Sequence, residues 1–491
     1  MPSDVSEMES RGEKHQNASS APLSAMISML ASLRINKIWR LLSPWPRSQA
    51  GQSDKLRPTA YLDGLRGFAA FLVYWHHHQL WAHVPMQTLF FESSFCFNGH
   101  CYFIALPFIR VFFHGGHFAV ATFFVISGYV LSMKPMSLIH AGDHAKLADN
   151  VGSALFRRWL RLYIPLITTT FIFMAFTYIF NIWVSPLRRE STFAAEVWKW
   201  YCDVKNFTFI FHTRVEILSY NFHLWSIPVE MKGSIVVYTA LLAFARCRRN
   251  ARLWLQVGLM FYFMYIVDGW YCALFVAGMF INDLELLASK NDLPAFFERL
   301  RPYKMIIFYH FFCMAMFLGG VPAHSADVKE LRGNPGWYYL SFLKSQSIYD
   351  AKWFFLFFAA FMLVAAIPHI GWLKRFFETR FCQYMGRISF AFYLVHGPVI
   401  WTVGDRLYAA VGWWEETRVK NLPQWVNIWE LPSTGPMGME LNFLAPHIIL
   451  LPLTLYLAEL VTRAFDEPSV RFPQWLYKSA TIPVRPTKLP E

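Results

Sequence analysis

The stretch YLDGLRGFAAFLVYWHHH, residues 61–78, sets an arginine at the mouth of an apolar segment and histidines inside it. Arg66 and His77 lie eleven residues apart. At about 100° per residue, eleven steps of a helix return almost to the starting direction, which puts both residues on one face, roughly 16 Å apart along the axis. His76 and His78 are rotated well away from that line. Ionisable groups are costly inside a bilayer and mark functional sites there by default. The plain alternative is a snorkelling arginine and a histidine bonded to a neighbouring helix. The chemistry on offer is a near-neutral imidazole acting as a general base and a guanidinium holding an anion.

Four further clusters accompany this pair. Arg158 and Arg161, within RRWLRLYIP, are one helical turn apart and share a face. With Arg66 they give three guanidinium groups at one depth, which suits a phosphorylated ligand, although each arginine alone also serves as a membrane anchor. In HLWSIPVE, Glu230 enters an apolar segment close behind His223 and Trp225. A carboxylate there needs a partner or a catalytic purpose, and one near a histidine can orient its imidazole. The same carboxylate also suits a helix start. In SFAFYLVHGP, His396 sits one turn after Tyr393 and directly before Gly397 and Pro398, the pattern of a helix interrupted at a polar cavity. A histidine on such a face is more often a structural hydrogen-bonder. Ser127 and Gly128, in FFVISGYVLS, suit close helix packing.

The elements that must position these groups follow from composition. The chain has 491 residues, 55% hydrophobic, 18% aromatic and only 16% charged, with a mean hydropathy of +0.29. Soluble domains carry nearer a quarter charged residues. Apolar runs of roughly membrane-spanning length fall at about 67–82, 117–133, 163–183, 232–246, 252–267, 270–286, 304–320, 353–370, 388–406 and 441–462. The expected fold is all-α and polytopic, with about ten transmembrane helices. The net charge of +13 is concentrated in alternate loops, including Arg157, Arg158, Arg161, Arg246, Arg248, Arg249, Lys374 and Arg375. That is the positive-inside pattern, with N- and C-termini cytosolic, and it points to a lipid bilayer and away from nucleic acid.

The expected organisation is a cytosolic basic tail (1–57), a membrane domain (58–472) and a second cytosolic tail (473–491). Ser24–Leu42 has the pattern of an amphipathic surface helix. The acidic start, with Asp4, Glu7, Glu9 and Glu13, is unlike a cleavable signal peptide. Seven cysteines show no metal-ligand spacing, and no metal is expected. Cys96 and Cys101 lie in a loop expected to face a lumen, where a disulfide can form. Asn206-Phe207-Thr208 is a glycosylation sequon.

Taken in order, YLDGLRGFAA, WHHH, FFVISGYVLS, RRWLRLYIP, HLWSIPVE, SFAFYLVHGP and FDEPSVRF resemble the integral-membrane acyltransferase type 3 family, collinearly over residues 61–472. WHHH with IPVEMKGS is most similar to the family's fungal branch. The resemblance implies transfer of an acyl group, often acetyl, from acyl-CoA to a hydroxyl. It implies that Arg66 and His77 hold the essential Arg and His positions, that Arg158 and Arg161 form the Arg-x-x-Arg pair, and that Glu230 is the acidic member of a Trp-Ser-x-x-x-Glu stretch. Met231-Lys232-Gly233-Ser234 replaces the Glu-Gln-Phe-Tyr common in bacterial members.

The expected roles are therefore His77 and Glu230 in catalysis and Arg66, Arg158 and Arg161 on the acyl-CoA phosphates. His223, Trp225 and His396 are candidate acceptor-site residues. Acyl-CoA is a cosubstrate, and no other cofactor is expected. A small hydrophobic metabolite of fungal secondary metabolism is the expected acceptor, and the endoplasmic reticulum or another secretory membrane the expected location. O-acetylation of a cell-wall glycan by the same chemistry is one alternative. A secondary transporter is another, though no repeated halves are apparent.

Overall fold

Every apolar stretch named above coincides with a helix in the computed structural model, which describes residues 56–84, 91–185, 187–211 and 217–481. The main helices, in chain order, are α1 (Ala60–Ala82), α2 (Gly116–Ala141), α3 (His144–Ile179), α4 (Phe193–Thr208), α5 (Ser226–Phe244) and α6 (Arg249–Phe261). They continue as α7 (Trp270–Ser289), α8 (Lys304–Leu318), α9 (Ala351–Ala366), α10 (Arg380–Val399), α11 (His447–Val461) and α12 (Glu467–Ala480). Among the described residues there is no strand, only an antiparallel bridge between Phe97 and His100. Six helical stretches are long and apolar enough to cross a membrane: Gly116–Ala141, His144–Ile179, Phe222–Phe244, Trp270–Ser289, Ala351–His369 and Leu441–Ala480. The protein is an all-α, multi-pass membrane protein.

α1 is not among those six, because Arg66, three consecutive histidines and Gln79 lower its hydropathy. A helix this polar belongs inside a bundle. Most of its residues are buried, and it packs chiefly on α10 and α2. Small residues make the α1–α10 approach close: a Cβ on Gly67 would lie 2.3 Å from the Gly386 nitrogen, and one on Gly386 would lie 2.3 Å from the Asp63 carbonyl oxygen. α2 and α7 meet in the same way, since a Cβ on Gly128 would sit 1.9 Å from the Phe275 carbonyl oxygen and one on Gly278 2.0 Å from that of Val125. Between helices already surrounded by apolar chains, this close backbone contact drives association.

α3 starts well before its apolar stretch. Asp143 caps it by accepting the Lys146 backbone N–H at 3.1 Å, and its polar first half carries Arg158 and Arg161 toward α5 and α1. The interruption expected at Gly397-Pro398 takes a different form. α10 runs through both residues to Val399, and the chain then passes through a π-helical turn (Ile400–Gly404) into the short helix Asp405–Ala410. Such turns re-aim side chains without ending a helix.

α12 continues past residue 472 and packs on α3. Cys96 and Cys101 form a disulfide, and Asn206 is exposed on α4. The amphipathic stretch Ser24–Leu42 and the final residues 482–491 lie outside the described residues.

Candidate active site

The first half of the site is cationic. Arg66, Arg158, Arg161 and Glu230 line one cavity of about 160 Å³, together with Ser127, Ser226, Arg387, Ser389, Tyr393 and Asp466. Arg66 is held by α10: its Nε donates to Ser389 Oγ at 3.1 Å and its Nη2 to the Gly386 carbonyl at 2.9 Å. Asp63, one turn earlier on α1, lies 3.3 Å from the same guanidinium. Arg158 donates from Nε to Ser234 Oγ at 2.9 Å and forms an ion pair with Glu230. Ser127 donates to the same Glu230 oxygen at 2.6 Å. Among the described residues Arg161 makes no hydrogen bond or ion pair, although the charges of Asp466 and Glu230 act on it, so its guanidinium lines the cavity with donors to spare for an anion.

The second half is a set of three imidazoles. His77 Nδ1 lies 2.8 Å from His396 Nε2, and His396 Nδ1 lies 2.7 Å from the Tyr393 carbonyl oxygen. A carbonyl only accepts, so the His396 Nδ1 must carry a proton. A neutral His396 then presents a bare Nε2, which accepts from His77 Nδ1–H. His77 is left with its lone pair on Nε2, the form a general base requires. His223 stacks on the His77 ring with centroids 3.8 Å apart and planes at 9°. Its backbone carbonyl accepts from the Tyr393 hydroxyl, which is also 2.9 Å from Ser226 Oγ. Tyr393 thus joins the two halves: its hydroxyl borders the arginine cavity and its carbonyl fixes the imidazole chain.

Nitrogens of His77, His223 and His396 come within 4.8 Å of one another, close enough to suggest a metal ion. The ring planes argue otherwise. His223 lies face to face on His77, at 3.8 Å and 9°, so their in-plane lone pairs run side by side, and the lone pair of His396 Nε2 is already taken by the His77 Nδ1–H. The neighbouring histidines face elsewhere. His78 Nδ1 meets the Tyr408 hydroxyl at 2.7 Å, and His76 packs against Gly116 and His117. Of the three consecutive histidines, His77 is the one whose ring meets His223 and His396.

Residues 59–441 match the family described as an acyltransferase domain. The chain belongs to that family. It is 28% identical over 470 residues to the O-acetyltransferase PaAT-1 of Phomopsis amygdali, covering 89% of this chain and 88% of the relative. It is 23% identical over 483 residues to the acyltransferase clz18 of Cochliobolus lunatus, covering 86% and 97% respectively. The acyltransferase R4 of a Phoma species is 22% identical over 418 residues, covering 72% and 84%. No solved structure matches. The protein is an acyltransferase enzyme.

Within this acyltransferase the residues singled out by sequence divide into two groups. Arg66, Arg158, Arg161 and Glu230 stand together, and His77, His223 and His396 stand together. Trp225 joins neither, its ring meeting Trp353 at 6.0 Å. Glu230 bonds Arg158 and Ser127, and among the described residues no carboxylate bonds the His77 ring. The orienting partner is His396 instead. Sequence reasoning took Ser127 for a packing residue, yet its hydroxyl holds Glu230. It assigned no role to Ser226, Arg387 or Asp466, because their meeting in one cavity joins separate helices and leaves no local spacing signal.

Proposed function

We propose that this acyltransferase moves an acetyl group from acetyl-CoA to a hydroxyl of a small hydrophobic metabolite of the kind fungal secondary metabolism makes. The phosphates of CoA are held by Arg66, Arg158 and Arg161, with Glu230 as the countercharge that keeps Arg158 in place. Arginine suits this task because its planar fork pairs bidentately with phosphate oxygens. The thioester extends past Tyr393 toward His77. His77 Nε2 takes the acceptor's hydroxyl proton while the oxygen attacks the thioester carbonyl. The carbon–sulfur bond then breaks, and the departing thiolate recovers the proton from the imidazolium.

A thiolate is a good leaving group, so positioning, a base and charge stabilisation suffice. The observation that carries this reading is the imidazole chain ending on the Tyr393 carbonyl, which selects the basic form of His77. The name of the Phomopsis relative, an O-acetyltransferase, supports acetyl transfer to oxygen. The disulfide between Cys96 and Cys101 supports an oxidising lumen on one side of the membrane, as in the endoplasmic reticulum.

The test supplies acetyl-CoA labelled in the acetyl group to membranes holding wild type or His77→Ala at matched abundance, with a cell extract as acceptor pool. Label entering an organic-extractable fraction with wild type alone is the expected result. Label entering a glycan fraction would move the acceptor to the cell wall, and equal transfer by both proteins would remove His77 from the mechanism.

A further inference from the structure

Beside the catalytic imidazole, with the His76 ring 5.5 Å from that of His77, α1, α2 and the loop between them share a second group of ionisable side chains that acyl transfer does not use. We propose that His76, Glu92 and His117 form a binding site for a divalent transition-metal ion of the zinc type. One ligand atom from each residue lies within 4.8 Å of the others. His76 is 4% exposed, and its Nδ1 is buried with no hydrogen-bond partner. A buried nitrogen left so is destabilising, and a metal bond removes that cost.

Ring geometry separates this group from the three imidazoles of the active site. His76 and His117 have centroids 5.5 Å apart and planes at 67°. Tetrahedral Zn–N bonds of about 2.0–2.1 Å put two imidazole centroids roughly 5 Å apart, with lone pairs converging from different planes. The stacked pair His77 and His223, at 3.8 Å and 9°, cannot do this. Two imidazoles and one carboxylate form an established zinc donor set, with a fourth position open to water or another ligand. His114 also borders the small cavity lined by Glu92 and His117, and its Nδ1 is likewise buried without a partner.

The scaffold around the group is fixed. Gly116 lets the His76 ring lie against α2, where a Cβ would stand 2.5 Å from its Cδ2. The Glu92 carbonyl accepts the backbone N–H groups of Ala323 and His324 at 2.7 and 3.2 Å. Two cations border the group, and the charge of each reaches Glu92: Arg110, whose Nη1 donates to the Ser93 carbonyl at 2.5 Å, and Lys352, which pairs with Asp350 at 2.9 Å. A bound ion would tie α1, α2 and the loop carrying Glu92 together beside His77 and hold α1 in rotation. Sequence spacing hides the site, because its members lie 16 and 41 residues from His76.

The test uses the full chain purified in detergent, loaded with Zn²⁺, desalted and analysed for metal by mass spectrometry. The expected result is one zinc per chain in wild type and in His396→Ala, and loss of most of it in Glu92→Gln and in His117→Ala. Wild type that holds no zinc after loading would overturn the proposal. So would retention by the Glu92 and His117 variants, and so would loss confined to His396→Ala. If the variants fail to elute at the wild-type position in size exclusion, Co²⁺-loaded wild type decides. Intense visible bands of a four-coordinate nitrogen–oxygen site support the assignment, and the weak spectrum of octahedral Co²⁺ refutes it. Metal content is read without any acyl transfer, so its outcome is independent of the reaction assigned above.

Discussion

Replacing His396 with alanine tests how the active base is selected. The substitution removes the 2.8 Å partner of His77 Nδ1 and leaves that buried N–H unsatisfied. An unsatisfied buried donor costs about 1–3 kcal/mol. At 1.36 kcal/mol per decade that is roughly a 5- to 150-fold fall in kcat, provided the whole cost falls on the tautomer that reacts. Loss of the base itself in His77→Ala is expected to cost more, about a hundredfold to ten-thousandfold. The KM for acetyl-CoA should hold in His396→Ala, because neither Arg66 nor Arg158, two of the arginines assigned to phosphate, is held by His396. His396→Gln offers a carbonyl oxygen near the position of the lost Nε2 and should restore much of the rate. Steady-state kinetics in detergent or nanodiscs, with acetyl-CoA varied at saturating acceptor, gives all three numbers. Wild-type kcat in His396→Ala would refute the relay. A rise in KM alone would move His396 from the base to substrate binding, and equal losses in the alanine and glutamine variants would make its role one of packing.

Arg161→Gln should raise the KM for acetyl-CoA roughly 10- to 150-fold with kcat held, the equivalent of about 1.5–3 kcal/mol for a lost charged hydrogen bond, measured by the same kinetics. Glu230→Ala strips Arg158 of its counterion in a pair whose side chains are 11% and 14% exposed, so it should lower Tm and raise that KM together. Gly67→Ala inserts a methyl group against the Gly386 backbone, and a sharp loss of the monodisperse peak in fluorescence-detected size exclusion is expected. Asp283→Ala is a structural control: Asp283 is fully buried and accepts from Arg252 at 2.7 Å, with His140 Nε2 2.8 Å away. Breaking such a buried pair costs about 3–5 kcal/mol, so Tm should fall while the surviving enzyme keeps its KM values.

Some of this protein is written locally in the chain. Apolar runs of membrane length must become helices, since the bilayer core offers no other partner for backbone N–H and C=O groups. The eleven-residue step from Arg66 to His77 is a property of one helix, and it sets His77 apart from His76 and His78 before any packing is known. The Arg158–Arg161 pair is likewise local. What sequence could not supply is contact between helices.

His396 lies 319 residues from the ring it orients, and nothing in SFAFYLVHGP marks it as a partner of α1. Gly67 and Gly386 create that contact by letting two backbones touch, and the match between them exists only once the helices cross. Glu230 shows the reverse. Its position close behind His223 in the chain suggested an imidazole partner, but His223 sits on a 3-10 turn (Phe222–Trp225) ahead of α5, and α5 turns the carboxylate to Arg158 on α3. A helix fixes which residues share a face, whereas the bundle decides what that face meets, because only crossing helices bring distant polar groups within the 3 Å or so that a hydrogen bond spans.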